Sequence, residues 1–140
     1  MRLRRATAAN APACAAIMRH WLDASNRMPG GLSLSELEAT MRDGFPRREA
    51  YLAEDEEILS YLSLDPHSDH IRGLYVARPG SGVGRAPTDR VKKGRVRLSL
   101  DTHMPNDATH RFYEREGFVA VERDIPGSEG VAEQRMEWWR

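Results

Sequence analysis

The segment Gly80-Ser81-Gly82-Val83-Gly84-Arg85 follows an extended apolar run and precedes a helical pattern. Glycine at alternate positions lets several backbone N–H groups converge on an anion with no Cβ atoms in the way. A helix that starts there adds about half a positive charge at its N-terminus. The chemistry implied is phosphate binding. A Walker loop is excluded, because Gly84 is followed by Arg85 rather than by Lys and a hydroxyl residue. A dinucleotide fold is disfavoured, because the loop comes late and no second strand–helix–strand half follows. Asp65, His67, Asp69 and His70 form another polar group. No third, separated ligand group accompanies it, so it reads as a solvated loop and no metal is expected.

The elements that must position these residues can be read from pattern. The 140 residues suit one domain covering 1–140. Leu3 to Ala6 reads as a short strand, and Thr7 as the cap of a helix running to about Ala24. Ser33 or Ser35, with Glu36 or Glu38 reaching back, caps a second helix through Met41 that Gly44 and Pro46 end. Strands are predicted over 50–53, 58–64 and 70–77, then a helix over 85–93 and a strand over 96–101. A helix over 107–116 ends at Gly117, with Phe118 placed for an apolar contact. Strands over 118–123 and 135–139 complete the chain. The crossover through the glycine loop makes its flanking strands parallel neighbours, and the other pairings are antiparallel. The predicted class is α+β: a single mixed, mostly antiparallel sheet flanked by helices.

Composition narrows the partners. Lys plus Arg and Asp plus Glu are both 21, so the chain has no net formal charge and a nucleic-acid partner is not expected. No apolar run approaches the roughly 20 residues of a membrane span. The basic start at Arg2, Arg4 and Arg5 before an Ala-rich stretch imitates a signal peptide, but Asn10 and Pro12 interrupt it. The single Cys14 allows no internal disulfide and suits a reducing compartment. A cytoplasmic protein is expected.

A second constellation gives the loop its context. Leu74-Tyr75-Val76, the glycine loop with Ala86, Leu98-Ser99-Leu100, Asn106, and Phe112-Tyr113-Glu114-Arg115-Glu116-Gly117-Phe118 occur in this order. Over residues 50–123 the chain resembles the GNAT N-acetyltransferase superfamily. The resemblance implies the GNAT acyl-CoA N-acyltransferase fold and an acetyl-CoA-dependent N-acetyltransferase, with acetyl-CoA as co-substrate and no metal. The acceptor would be a primary amine of a small molecule or peptide. It implies that N–H groups of Gly80, Ser81, Gly82, Val83 and Gly84 hold the pyrophosphate, with Arg85 and Arg78 as countercharge. The pantetheine arm would pair with the backbone of Leu74, Tyr75 and Val76 and bond to Asn106, which also reads as a helix N-cap. The N–H of Val76 would stabilise the developing oxyanion.

Tyr113 matches the family tyrosine that protonates the departing thiolate. Its hydroxyl, with a pKa of about 10 against about 8.5 for a thiol, is expected to give up that proton readily. His70, six residues before Val76, stands where family members place a Glu or His base; His103 and Glu54 are lesser candidates. Acceptor sites in this fold come from the first two helices and the late strands. Here those supply Trp21, Asp23, Arg27, Met28 and the segment 125–133.

Pro79 and Pro87 depart from the family pattern. Either the third helix begins near Pro87 and leaves a longer loop, or it begins at the glycines and bends in its first turn. The alternative function is therefore a GNAT-fold module with weak or no turnover, acting in ligand binding or protein interaction. Met136, Trp138 and Trp139 would supply an apolar edge for a homodimer, unless they form a final core strand.

Overall fold

Alternation along the central strands sorts apolar side chains into two cores, one on each face of a single sheet. The computed structural model describes residues 2–25, 33–77, 82–127 and 131–140, without the side chains of 21–25 and 46. Its strands are β1 Arg2–Arg5, β2 Glu49–Glu54, β3 Ile58–Asp65, β4 His70–Val76, β5 Arg97–His103, β6 Val119–Ile125 and β7 Glu133–Trp139. They lie in the order β1-β2-β3-β4-β5-β7-β6. Among the described strands, only β4 and β5 pair in parallel. Helices α1 (Ala11–Ser25) and α2 (Leu34–Gly44) precede β2, α3 (Arg85–Lys92) joins β4 to β5, and α4 (Asp107–Arg115) joins β5 to β6. The mixed α+β sheet anticipated from pattern is present, with its single parallel pair in the predicted place.

On β3, Leu62 and Leu64 join Val91 of α3, Tyr113 of α4, Leu98 and Leu100 in one core. Tyr61, pointing the other way, joins Ala11, Cys14, Phe45 and Leu52 beneath α1 and α2. Among the described residues, no helix is long and apolar enough to cross a membrane.

Local signals set the helix ends. The Ser33 hydroxyl accepts from the Glu36 N–H at 3.2 Å, and the Glu36 carboxylate accepts from the Ser33 N–H at 3.3 Å. Thr7 behaves differently from its expected role. It donates both its N–H (2.9 Å) and its hydroxyl (3.3 Å) to the Asn10 side-chain oxygen, closing a short 3-10 turn at Ala8–Asn10 before α1 begins. Gly117 has φ +94°, and the Phe118 N–H bonds to the Tyr113 carbonyl at 2.9 Å. This left-handed turn brings the Phe118 ring edge-on to Tyr113, with centroids 5.3 Å apart.

The parallel contact is short. His70 pairs with Ser99 and Ile71 with Leu100, and beyond them β4 and β5 diverge. A register shift against β3 falls at the same place: Leu64 pairs with Ile71 but Ser63 with Gly73, leaving Arg72 as an extra residue. Such a bulge bends the strand that carries it. Gly73 is required here, because the Tyr75 ring lies 2.6 Å from where a Cβ would sit.

The last strand is not an edge. β7 lies between β5 and β6, Met136 is fully buried, and Trp138 packs against the core. Of the three residues considered for an apolar edge, only Trp139 is exposed, at 50%. The outer strand on this side of the sheet is β6, whose pairing with β7 shifts register twice and whose Asp124 takes φ +56°. An edge broken in this way resists pairing with another chain.

Candidate active site: two clefts meeting at Tyr113

Divergence of β4 from β5 opens the sheet, and a cleft lies on each side of the opening. The first, of about 730 Å³, is walled by Leu74 and Val76 of β4, by Gly82 to Arg85, and by α4 residues including Phe112 and Tyr113. The second, of about 250 Å³, is lined by Met18 of α1, Tyr75, Asp101, His103, Asn106 and Glu133 among others. Leu74, Thr109 and Tyr113 line both. The clefts therefore meet at Tyr113.

Backbone polarity follows from the ladder. The Ala77 N–H bonds to the Leu59 carbonyl at 2.8 Å. Residues of an antiparallel strand alternate between bonding their partner and facing away. Val76 and Leu74 therefore turn their N–H groups from β3 toward the gap where β5 has departed. The Tyr75 side chain lines the second cleft and stacks on Tyr61 at 5.2 Å, and the same alternation turns its backbone groups to β3, so Tyr75 is not in the wall of the first cleft.

The glycine loop is described from Gly82 onward; Arg78, Pro79, Gly80 and Ser81 lie outside the described residues. Gly82 has φ +78°, a conformation that favours glycine. A Cβ on Gly84 would meet Leu74, Val76 and Phe112 at 3.4 Å each, inside the wall of the first cleft. Helix α3 begins directly after the glycines, at Arg85. Pro87 is therefore its third residue, where the N–H has no intrahelical acceptor in any case, so the ring breaks no helical bond. Thr88 is buried and returns its hydroxyl to the Gly84 carbonyl at 2.8 Å. Ser60 on β3, also fully buried, donates to the Val83 carbonyl at 2.8 Å. Motif reading missed Ser60, because a serine inside a strand carries no sequence signal of its loop partner.

Charge in the first cleft is mainly positive. Arg85 stands 3.6 Å from Asp89 and 4.0 Å from Glu116. Lys92 donates to the Glu116 carbonyl. Arg111 and Arg115, exposed on α4, form no ion pair among the described residues. Like charges four apart on a helix repel by about 0.2–0.5 kcal/mol, which an anion in the cleft would offset. That spacing is visible in the sequence and was the available signal for them.

Tyr113 is 5% exposed, and its hydroxyl has no hydrogen-bond partner among the described residues. Burial, helped by nearby Tyr75, pushes this hydroxyl well above its ordinary value of 10.0. This corrects the expected ease of proton transfer. A phenol near 10 gives its proton uphill to a thiolate whose acid is near 8.5, by about 2 kcal/mol at ordinary values. Burial raises a thiol as well: Cys14, in the other core, is pushed up to about 12. In a dry cleft both groups resist ionisation, and the gap between them decides the transfer.

Asn106 caps α4, its side-chain oxygen accepting from the Thr109 N–H at 3.3 Å, and it lines the second cleft. His70 lines neither cleft. Its Nδ1 lies 2.7 Å from the Ser99 hydroxyl and its Nε2 3.6 Å from Asp101, which does line the second cleft. Burial lowers the His70 pKa below 6.5, against the opposing charge of Asp101. Asp101 in turn is held by Arg135 through two bonds, at 3.0 and 3.2 Å. Glu54 pairs with Arg4 on the β1–β2 side of the sheet, far along the strand order from either cleft. The described residues hold no group of three or more metal-ligating side chains. Of the acceptor-side residues read from sequence, Trp21 and Asp23 lie in α1 without described side chains, Arg27 and Met28 lie outside the described residues, and Glu133 enters the second cleft.

No protein-family model matches the sequence, and no curated protein matches it. Solved structures do. A ribosomal-protein-alanine N-acetyltransferase from Brucella melitensis superposes with TM-score 0.78 at 17% identity, covering 100% of each chain. A GCN5-related N-acetyltransferase from Rhodopseudomonas palustris gives TM-score 0.74 at 22% identity, covering 99% of this chain and 95% of that one. The protein yncA from Salmonella typhimurium, solved with its cofactor acetyl-CoA, gives TM-score 0.74 at 17% identity, covering 99% of this chain and 92% of that one.

Proposed function

On the premise that the chain has the GNAT N-acetyltransferase fold, we propose that it is an acetyl-CoA-dependent N-acetyltransferase acting on a primary amine. The observation that carries this reading is the meeting of two clefts at Leu74, Thr109 and Tyr113. One cleft has the size, the positive charge and the free N–H groups for an acyl-CoA, and the other admits a smaller second substrate. The first volume falls within the roughly 300–1,000 Å³ of ligand sites. Acetyl-CoA, when bound, supplies the activated acetyl group as a thioester.

The residues then take the following parts. Amides of Gly82, Val83 and Gly84, with Arg85, hold phosphate oxygens, joined by the loop residues Gly80 and Ser81 and the nearby Arg78. The N–H groups of Leu74 and Val76 fix the pantetheine arm, and Val76 opposes the charge developing on the carbonyl oxygen. Asn106, whose oxygen caps α4, offers its side-chain N–H group from the second cleft to the end of the same arm where the two clefts meet. The Tyr113 hydroxyl gives its proton to sulfur as the C–S bond breaks and the C–N bond to the amine forms, and solvent returns a proton to it. His70 acts on the amine through Asp101, taking up the proton that the nitrogen sheds. Lone, buried Cys14 suits a cytoplasmic protein.

Calorimetry with acetyl-CoA, followed by a thiol-release assay across an amine panel, tests the reading. Binding in the micromolar range and thiol release with at least one amine are expected. No binding at millimolar acetyl-CoA would overturn it, and tight binding without release from any amine would favour the non-catalytic module.

A further inference from the structure

The second cleft carries one charge that has no counter-ion among the described residues. Three side chains of fixed sign line it: Arg72, Asp101 and Glu133. Arg72 stands 3.7 Å from Asp65, and Asp101 is bonded twice by Arg135. Glu133 meets no cation among the described residues. It is half-buried at the start of β7, paired across the ladder with His103, one step beyond the Asp101–Arg135 pair. Residues paired in this way share a face, so Glu133 stands diagonally from Asp101 on the α1 side of the sheet. The chain leaving β6 passes over it at Gly127, where a Cβ would come 2.9 Å from the Glu133 carboxylate oxygen. A carboxylate partly withdrawn from water without a counter-ion is unfavourable, and a bound cation would relieve it. The same charge repels an acceptor that brings a carboxylate of its own. A cleft of about 250 Å³ is also small for a folded protein or a long peptide.

Resting on the acetyltransferase reading, we infer that the acceptor is a small amine bearing a second positive charge, which Glu133 holds while the first amine reaches Tyr113. Glu133 thereby chooses the substrate and takes no part in the chemistry.

Three probes of similar length separate the possibilities: 1,5-diaminopentane, pentylamine and 5-aminopentanoate. Thiol release by the wild-type protein should give a kcat/KM for the diamine about tenfold above that for the monoamine, with the amino acid lowest. Glu133→Gln should raise KM for the diamine about tenfold with kcat within threefold, and Glu133→Asp should restore most of the preference. Equal use of the three probes, or a diamine preference that survives Glu133→Gln, would overturn the inference while leaving the acetyltransferase reading intact. Should acetyl-CoA bind without turnover of any probe, calorimetry with 1,5-diaminopentane on the CoA-bound protein decides. Binding lost in Glu133→Gln supports the inference, and absent or unchanged binding overturns it. Failure to bind acetyl-CoA at all would remove both.

Discussion

Replacing Tyr113 with Phe isolates one oxygen atom. The ring stays, with its edge-on contacts to Phe112 at 5.1 Å and Phe118 at 5.3 Å, and the turn at Gly117 is untouched. Because the hydroxyl bonds to nothing among the described residues, its removal breaks no hydrogen bond and leaves no buried partner stranded. Stability should therefore change by less than about 0.5 kcal/mol, against the roughly 1 kcal/mol that a lost hydrogen bond costs. For a chain of this size that is a shift of about 2 °C or less in Tm. Turnover should respond very differently. A positioned general acid contributes about 10²–10⁴-fold, equivalent to about 3–5 kcal/mol of barrier. The expected result is kcat lowered at least a hundredfold, with acetyl-CoA affinity within twofold and an unchanged melting curve. The pH dependence has a definite sign. An acid must be protonated to act, and burial holds this hydroxyl above its ordinary 10.0. Wild-type kcat should therefore show no alkaline decline from Tyr113 up to pH 10. Thiol-release kinetics from pH 6 to 10, with calorimetry and thermal melting on both proteins, are the assay. A kcat within threefold of wild type would exclude Tyr113 as the general acid, whatever the melting curve showed.

Gly84→Val should fill the wall of the first cleft, since even a Cβ would touch Leu74, Val76 and Phe112 at 3.4 Å; calorimetry should show acetyl-CoA affinity reduced at least tenfold, and unchanged affinity would contradict the placement of the phosphate loop. His70→Ala should lower kcat and remove an acid limb from its pH profile, because a base acts only when neutral and burial holds the His70 pKa below 6.5. The same residue affects folding. The unfolded chain takes up the proton first, so stability is lost as pH falls below about 6.5 toward the folded pKa, and urea melts of His70→Ala should lack that loss. Arg95→Met severs bonds to Glu49 at 2.8 Å and Asp69 at 3.0 Å, and should cost about 1–2 kcal/mol in urea unfolding for charged bonds partly screened by solvent. At Glu49, burial raises the pKa but the Arg95 bond and charge outweigh it, so the net shift is downward. The stability it contributes is present above the ordinary carboxylate range and fades as pH falls through the folded pKa, a fading that Arg95→Met should not show.

The sequence was most legible where a residue's role is local. Ser33 with Glu36 is a cap because three residues of helix bring the two groups together, and no distant contact is needed. Gly117 marks the end of α4 for the same reason. The parallel pairing of β4 with β5 was readable because chain topology dictates the hand of a crossover. Its shortness was not. It depends on an extra residue at Arg72 and on Tyr75 folding over Gly73, both of which involve β3 and the opposite face. His70 shows the limit most clearly. Counting along β4 places it on the right strand, yet register sets it where β4 and β5 still touch, so its ring meets Ser99 and Asp101 rather than open space. Asp101 was missed because nothing in a single strand reports which side of a gap its neighbour will occupy. The acceptor side is least legible of all, since the role proposed for Glu133 rests on the lack of a cation beside it among the described residues.

Pro87 ties these points together. In sequence it threatens the phosphate loop, because a proline in a helix removes a donor and obstructs a turn. In the fold its position three residues into α3 makes that loss harmless to the helix, and the loop is held by other means. Ser60 engages the Val83 carbonyl and Thr88 the Gly84 carbonyl, both from the protein side. In a trans peptide the N–H points opposite to the C=O. Anchoring the Val83 carbonyl on β3 therefore turns the Gly84 N–H away from the core, toward the cleft. Thr88, which offers the core little apolar surface for a helical position, supplies a second anchor in exchange. The residues that look like departures from a binding motif thus leave a loop whose donors are oriented by buried hydroxyls.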